Sequence, residues 1–269
     1  MKDALGCRMK TYEKAYAQKC MPLLPVCVRL DGKGFSTWTK GLDRPYDAEL
    51  SSLMSLVTQY LVKETGALIG YTQSDEITLV MYSDCVKSQV FFDGKIQKIV
   101  SVLASMTTAH FNMLAQVSFP HKPLALFDCR VWQVPSLQEA VNVLVWREMD
   151  ATKNSVTQAA STVYSHKELL NRCSAEKIEM LFQKNIKWND FPNCFKRGTY
   201  VKKVVEERTF TEEEIAQLPA MHAAVKDRSL TYARNTVQEL KVPKITTWAN
   251  PIEFIFNNAP LEIRALCKG

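Results

Sequence analysis

The chain has 269 residues, of which 46% are hydrophobic and 23% are charged, as in ordinary globular proteins with a packed core. No apolar run approaches the roughly 20 residues that cross a bilayer, and the charged first 19 residues lack the apolar segment of a signal peptide, so we expect a cytoplasmic protein without membrane contact. The net charge of +6 permits a polyanionic partner without requiring one, and the eight cysteines lack the spacing of a structural zinc site.

Hydrophobic periodicity in the first half predicts strands and helices in the order β-α-β-β-α-β, after an N-terminal helix. Short apolar, β-branched runs indicate buried strands, whereas apolar residues at i, i+3 and i+4 indicate amphipathic helices. This order is that of the split ferredoxin-like sheet. The predicted elements are a helix over 3–18, strands over 24–30, 67–72, 77–82 and 124–134, and helices over 47–65 and 96–113.

After Pro135 the pattern becomes helical, and we place a domain boundary there. Serines followed three residues later by glutamates have the spacing of capping boxes that open helices. A β-like run covers 199–210, and the rest is too weakly patterned to predict. The sequence thus predicts an α+β fold with a helix-rich second half. The predicted helix starts are Ser136 with Glu139, Ser165 with Glu168, and Ser174, whose helix continues to about residue 184.

Acidic residues fall at the ends of neighbouring predicted strands. Asp31 ends the first strand and precedes Gly32, and Asp75 and Glu76 occupy the turn of the central hairpin. Because the first strand and this hairpin lie side by side in such a sheet, their carboxylates are expected to converge on one edge. Converging carboxylates repel unless a cation neutralises them, and oxygen ligands suit Mg²⁺. Two ions about 4 Å apart would activate an attacking hydroxyl and neutralise a leaving phosphate.

The ordinary interpretation of these acids is that they solvate turns, since acidic turns are common. From spacing alone it has the same weight as the metal site, and the placement on adjacent strands favours the metal site. The glycine after Asp31 would let the backbone approach a ligand closely, and the amides of 33–36 could face phosphate oxygens.

A set of motifs resembles those of the tRNA-His guanylyltransferase family, in order from about residue 5 to about residue 200. They are RLDGKGFS (29–36), Arg44-Pro45, QSDE (73–76), FDCR (127–130), WREMDATKNS (146–155), SHKEL (165–169) and WNDFPNCFKRG (188–198). The resemblance implies a polymerase-like palm at 1–135 and a helical and C-terminal region at 136–269 that binds tRNA and nucleotide. The family is often tetrameric, which implies a homo-oligomer.

The resemblance also implies roles for single residues. Asp31 and Asp75 would bind two Mg²⁺ ions together with the carbonyl of Gly32, and Glu76 would complete the catalytic carboxylates. The substrates would be tRNA with ATP and GTP or another nucleoside triphosphate. The expected nucleotide contacts are Lys33, Gly34, Phe35, Ser36, Arg44, Ser74, Asn154 and Lys177. The expected tRNA contacts are Lys153, His166, Lys167, Asn189, Lys196 and Arg197.

Several residues near these motifs have ordinary structural interpretations as well. Trp146 and Arg147 could position a nucleotide by stacking and charge, or lie in the core with Arg147 paired to Asp150 at i,i+3. Lys177 could be a plain surface lysine. His166 and Lys167, in the first turn of a helix, could be simply solvated.

One departure from the family pattern narrows the expected reaction. Eukaryotic guanylyltransferases have His-Ile-Asn-Asn after the W-R-x-x-D element, and this chain has Thr-Lys-Asn-Ser at 152–155. The pattern is more similar to bacterial, archaeal and phage-type members that repair truncated tRNA 5′ ends against a template base. It implies 3′-to-5′ nucleotide addition, after activation by ATP or from a 5′-triphosphate.

Three other functions stay open at this point. The protein could be a dedicated tRNA-His guanylyltransferase. It could be a nucleotidyl or diguanylate cyclase, although such a hairpin would carry Gly-Gly-(Asp/Glu)-Glu-Phe and not Gln-Ser-Asp-Glu. It could be a non-catalytic RNA-binding protein with a decayed palm, which the presence of both Asp31 and Asp75 argues against.

Overall fold

The structure, a computed structural model, describes residues 3–88, 90–219 and 221–264. At its centre is an antiparallel sheet of six strands. The strands are β1 (Val26–Gly32), β2 (Ile69–Gln73), β3 (Glu76–Met81), β4 (Phe127–Gln133), β5 (Thr199–Thr209) and β6 (Thr231–Leu240). They lie in the order β4-β1-β3-β2-β5-β6, each antiparallel to its neighbours. The first four confirm the predicted split ferredoxin-like arrangement.

The helices range from single turns to the 24 residues of the longest. They are α1 (Ala4–Ala15), α2 (Phe35–Trp38), α3 (Ala48–Thr65), α4 (Ile96–Ser118), α5 (Leu137–Ala160), α6 (His166–Leu169), α7 (Ser174–Gln183), α8 (Asn193–Arg197), α9 (Glu212–Gln217), α10 (Ala223–Lys226) and α11 (Pro251–Phe256). Short 3-10 turns occur at Phe91–Gly94, Trp188–Asp190 and Ile245–Thr247. Within the described ranges, no helix combines the length and the apolarity that a bilayer crossing requires.

One face of the sheet packs against α3 and α4. Val28 and Leu30 of β1 point into this core, because successive side chains of a strand alternate between faces. Helix α3 begins after Asp47, whose carboxylate accepts a hydrogen bond from the amide of Leu50. It ends at Gly66, where a φ of +68° favours glycine. Both ends lie where the sequence predicts them, since caps are local signals.

The other face of the sheet packs against α5 and the segment that follows β6. Cys27 and Tyr71 of the sheet form a core with Leu144 of α5 and with Trp248. Helix α5 starts as predicted, since the Ser136 hydroxyl accepts a hydrogen bond from the amide three residues later. The sheet is therefore covered on both faces, and α5 passes directly over the side chains that β1 and β3 present on this face.

A buried carboxylate connects these layers. Glu148 of α5 accepts hydrogen bonds from Tyr200 Oη at 2.9 Å and from the amide of Ile245 at 3.1 Å. Burial raises the pKa of Glu148, although both hydrogen bonds favour the ionised form. We call these three residues the Glu148 cluster; it holds α5, β5 and the chain after β6 together.

The second half of the chain extends the sheet of the first half. β5 pairs with β2, so that Lys202 lies opposite Ile69, and β6 pairs with β5. The domain boundary near Pro135 stays a prediction. β6 was not predicted, because none of its side chains is buried and the strand has no apolar alternation.

Two details of the predicted helices are wrong. The helix predicted over 96–113 continues as α4 to Ser118; its last predicted residue, Met113, is 56% exposed, and the buried face runs instead through Phe111 and Ala115. Helix α7 is capped by Cys173, one residue before Ser174, because Glu176 completes a capping box with the residue three positions earlier.

Candidate active site

Three carboxylates lie side by side at the edge of the sheet where β1, β3 and β4 meet. Asp31 of β1 is directly opposite Glu76 of β3 and Asp128 of β4. The side chains of Asp31 and Asp128 are 37% and 51% exposed. Arg130 lies between them, with Nε 3.3 Å from Asp128 Oδ1 and Nη2 3.9 Å from Asp31 Oδ2. The structure thus brings together the acids of the first strand and the hairpin.

Asp75 reaches this edge from the turn between β2 and β3. A Cβ added to Gly32 would lie 2.9 Å from Asp75 Oδ2, so this carboxylate rests against the backbone that follows Asp31. Ser74, with a φ of +55°, donates a hydrogen bond to Asp75 Oδ1 at 3.1 Å. Burial raises the pKa of Asp75, hydrogen bonds lower it, and the charge of Asp31 raises it. A cation bound between the two carboxylates would relieve this repulsion.

Glu76 is held by a buried arginine. Arg147 Nη2 donates to Glu76 Oε2 at 2.8 Å, while Nε lies 2.6 Å from Oε1 at an angle unsuited to a hydrogen bond. Arg147 also lies 3.3 Å from Asp150, the predicted i,i+3 pair. Burial raises the pKa of Glu76, and the charges of Arg147 and Arg29 lower it. Because Arg147 already engages its carboxylate, Glu76 is suited to positioning the neighbouring acids and not to binding a metal ion directly.

A cleft of about 380 Å³ opens beside Asp75. Its volume lies within the range of roughly 300–1,000 Å³ that is usual for small-molecule pockets. Four predicted nucleotide contacts line it: Phe35, Ser36, Arg44 and Ser74. The wall on α5 and α8 consists of Thr157, Gln158, Ser161, Cys194 and Phe195.

Aromatic packing in the core fixes the turn that follows Asp31. Gly34 has a φ of +63°, and the helix it opens places Phe35 and Trp38 in the core, their rings stacked at 5.1 Å. Lys122 donates hydrogen bonds to the carbonyls of Trp38, at 2.7 Å, and Lys40, at 2.5 Å. Ser36 is thereby left facing outward. Lys33 is exposed but does not line the cleft, and its amide donates to the Leu126 carbonyl at 2.8 Å.

The remaining predicted nucleotide contacts lie near the cleft but not in its wall. Lys177 of α7 donates a hydrogen bond at 3.1 Å to Thr157, a residue of the wall. Asn154 is exposed on the preceding turn of α5, next to Lys153.

The structure separates the predicted tRNA contacts into exposed and buried groups. Lys196 is only 8% exposed, its ammonium donates to the Asn189 carbonyl, and it lies 5.6 Å from the Trp188 ring centre. Burial lowers the pKa of Lys196. Lys196 belongs to α8, which packs on α5 through the hydrogen bond from the Ser155 hydroxyl to the Lys196 carbonyl, so its side chain is less accessible than a tRNA contact requires; its role in tRNA binding stays a prediction. Arg197 is half-buried, and the exposed candidates are Lys153, His166, Lys167 and Asn189.

Several residues of the site were not predicted as functional. Asp128, Arg130 and Arg29 enter the sequence analysis only as parts of the FDCR and RLDGKGFS motifs. The alternation of polar residues in FDCR was the available signal, because a strand with acid and base on its exposed face borders the acidic edge. For Thr157 and Gln158, which end the long helix, no local signal exists.

Comparisons with known proteins identify the same family as the motifs. A sequence model described as tRNAHis guanylyltransferase matches residues 6–135. A solved structure of a bacterial tRNA(His) guanylyltransferase-like protein in complex with ATP is 33% identical, with a TM-score of 0.75, and the match covers 94% of this chain and 97% of that chain. The corresponding complex with GTP is 32% identical over the same shares, with a TM-score of 0.69.

The similarity extends to a curated eukaryotic relative. The tRNA(His) guanylyltransferase of Neurospora crassa is 26% identical over 272 aligned positions, which cover 88% of this chain and 92% of the relative. Both the bacterial structures and the fungal enzyme thus match the second half as well as the residues that the family model covers.

Proposed function

This chain belongs to the tRNA-His guanylyltransferase family and is a nucleotidyltransferase, and from that premise we propose that it repairs tRNA 5′ ends by template-dependent, 3′-to-5′ nucleotide addition. The observation that carries the proposal is the convergence of Asp31 and Asp75 beside Gly32, at the mouth of a cleft lined by Ser36 and Arg44. Phosphoryl transfer needs little beyond such positioning and positive charge.

The donor atoms at this edge fit Mg²⁺. Within the described ranges no three His, Cys, Asp or Glu side chains have the geometry to hold one metal ion. The donors that we propose are therefore few: the carboxylates of Asp31 and Asp75, which lies beside Gly32, and the Gly32 carbonyl. A sparse set of oxygen ligands suits Mg²⁺, which keeps several waters. Two bound ions would supply activation of the attacking hydroxyl and neutralisation of the leaving phosphate.

The chain's own residues would hold the triphosphate in the cleft. Arg44 and Ser36 would contact phosphate oxygens by charge-assisted and hydroxyl hydrogen bonds. Ser74 both lines the cleft and orients Asp75. Lys177 donates a hydrogen bond to Thr157 of the opposite wall, and from behind that wall its ammonium would stabilise a second phosphate group. ATP and GTP, the ligands of the bacterial relatives, are the expected nucleotides.

Template pairing is the proposed source of nucleotide choice. Thr152 stands where the eukaryotic motif has histidine, and its hydroxyl donates to the Glu148 carbonyl at 2.8 Å within α5. It therefore presents no ring and no free donor to a base. Watson–Crick geometry in the acceptor stem would then select the nucleotide, with the protein supplying position and charge.

Assembly, location and the tRNA contacts stay predictions. A homo-oligomer, tetrameric by family resemblance, would explain why α1 has no buried residue and exposes apolar side chains along one stripe. A cytoplasmic location is expected from the sequence. The stripe consists of Leu5, Met9, Tyr12 and Tyr16.

Nucleotide addition to truncated tRNAs tests the proposal. Purified protein with Mg²⁺ is given tRNAs that lack the 5′ nucleotide, with each of the four triphosphates singly, and products are mapped by primer extension. A tRNA with C opposite the gap should receive G, and the same tRNA with A there should receive U. Changing the anticodon should alter neither result, and omission of Mg²⁺ should abolish both.

The same panel identifies the competing activity. Addition of G whatever the opposing base, and only to tRNA with a His anticodon, would replace the repair function with dedicated tRNA-His guanylylation. Absence of any addition to tRNA by a folded protein would refute the proposal as a whole.

A further inference from the structure

An exposed tryptophan lies on the second face of the sheet, outside the nucleotide cleft. Trp146 of α5 is 49% exposed and is not among the cleft residues. The guanidinium groups of Arg147 and Arg29 lie 4.6 Å and 5.9 Å from the centre of its ring. The core position that one interpretation of the sequence gave Trp146 is wrong, because α5 turns this residue toward solvent.

This tryptophan adjoins the acidic edge. Arg29 precedes Asp31 by two residues on β1, so both side chains point to the same face. On β4, Arg130 lies directly opposite Arg29 and also contacts Asp31 at 3.9 Å. We call Trp146, Arg29 and Arg130 the arginine–tryptophan surface. It borders the acidic edge, and the cleft borders Asp75.

The charges of this surface are only partly compensated. Arg130 is paired with Asp128, and Arg147, which adjoins the surface, is paired with Glu76. In the described part of the chain Arg29 forms no ion pair, and its Nε is buried without a hydrogen-bond partner. A half-buried guanidinium whose charge has no ion pair in the described chain, beside an exposed indole, indicates a place for an anionic ligand with a flat, apolar part.

We propose that the arginine–tryptophan surface binds the terminal base pair of the tRNA acceptor stem; this inference rests on the proposed function. The acidic edge must bring together a triphosphate and an RNA end. The cleft accounts for the triphosphate, and the end of an RNA helix presents the flat base surface on which an indole stacks. The guanidinium of Arg29 then contacts the 5′ phosphate by charge-assisted hydrogen bonds.

Binding of tRNA to position-146 variants tests this assignment. Trp146→Ala should weaken binding of a tRNA lacking its 5′ nucleotide about tenfold, since base–aromatic stacking contributes on that scale, and Trp146→Phe should retain most of the affinity. The KM for the nucleoside triphosphate should not change. Phe182→Ala removes an exposed aromatic of α7, 58% exposed, and serves as the matched control with unchanged tRNA binding. Fluorescence anisotropy with labelled tRNA gives the affinities.

A modified tRNA separates stacking from a general loss of structure. An abasic nucleotide at the terminal position should weaken binding to the wild type by a similar factor and cause no additional loss in Trp146→Ala, because coupled partners are non-additive. An equal abasic penalty in wild type and variant would overturn the proposal. A raised KM for triphosphate with unchanged tRNA affinity would also overturn it and assign the indole to a nucleotide base.

Failure of the surface assignment can be distinguished from failure of the proposed function. If the wild type adds nucleotides while Trp146→Ala binds tRNA normally, only the surface assignment is refuted. If the binding pattern is found and the wild type adds no nucleotide, the surface assignment stands and the proposed reaction is refuted.

Discussion

The acidic edge at Asp31 and Asp75 and the Glu148 cluster both place carboxylates against the same sheet, and burial raises the pKa of both Asp75 and Glu148. Their surroundings differ. Glu148 accepts hydrogen bonds from Tyr200 and Ile245, and it ties together three segments of the chain. Asp75 has one hydroxyl donor from its own turn and faces the carboxylate of Asp31.

The difference shows that a raised pKa does not by itself identify a site. Glu148 is satisfied by groups of the fold itself, so its interactions stabilise the structure. Asp75 and Asp31 repel each other and are only partly compensated, by Ser74 and by Arg130, and Asp75 lines an open cleft. A carboxylate at an open edge whose charge is only partly compensated by the protein indicates a ligand-binding site. A buried carboxylate whose hydrogen bonds all come from the protein instead indicates a contact that holds layers of the fold together.

Removing either acid of the edge should produce the largest effect and test the contrast directly. Asp31→Asn or Asp75→Asn should reduce nucleotide addition roughly a thousandfold or more, because the ions would no longer supply several kcal/mol of transition-state stabilisation. The unfolding temperature should stay the same or rise, since the fold disfavours the charged form of Asp75. Single-turnover addition and thermal unfolding measure the two quantities. Asp84→Asn, at an exposed residue outside the site, controls for the removal of one negative charge.

Near wild-type activity of either purified variant would refute the metal assignment. A large loss of stability in Asp75→Asn would instead place this residue with Glu148, as part of the structure, and the contrast between the two regions would fail.

Truncating Glu148 should give the opposite pattern. Glu148→Ala leaves the Tyr200 hydroxyl and the Ile245 amide buried without their acceptor, which should lower the free energy of unfolding by about 2–5 kcal/mol. Addition by the folded fraction, assayed well below the unfolding temperature, should be little changed. Denaturant unfolding gives the free energy. If Glu148→Ala unfolds like the wild type but is inactive, the cluster belongs to the active site.

A conservative replacement of Glu148 tests the raised pKa of this residue through the pH dependence of stability. Glu148→Gln keeps an oxygen acceptor and removes the charge. Because the pKa of Glu148 is raised in the fold, the wild type is most stable below the ordinary glutamate pKa and loses stability as pH rises through the folded-state pKa. Stability of the wild type relative to Glu148→Gln should therefore fall from acidic to neutral pH; a difference independent of pH would contradict the raised pKa.

The same distinction, between charged groups that the fold already engages and groups that it leaves available, should hold for Lys196 and Arg197. The expected change in tRNA binding is the smallest of those predicted. Arg197→Ala should flatten the salt dependence of tRNA binding by about 0.7–0.9 log units for each phosphate that the arginine neutralises in the wild type. Lys196→Ala should leave the slope unchanged, because the fold already engages this ammonium at Asn189. Affinity for free triphosphate should hardly move in either variant. If both variants and the wild type show the same salt dependence, Arg197 does not contact a tRNA phosphate.

Much of the fold could be predicted from the sequence because its signals are local. Asp47 and Gly66 mark the ends of α3 by cap chemistry that acts within one turn. The alternation around Asp128 marks the faces of β4. The β-α-β-β-α-β order then places the β1 end beside the β2–β3 hairpin, so that Asp31 and Asp75 could be expected to meet before any coordinates were known.

The sequence by itself determined the order of the first four strands, the caps of α3 and α5, the acidic edge and, through its motifs, the cleft residues Ser36 and Arg44. Only the tertiary structure decided that Arg147 holds Glu76 across 71 residues of chain, that Lys196 is buried and that Trp146 is exposed. Periodicity and caps depend on neighbours within a few residues. Burial and ion pairing depend on which distant segment packs against a side chain, and that is set when α5 crosses the sheet.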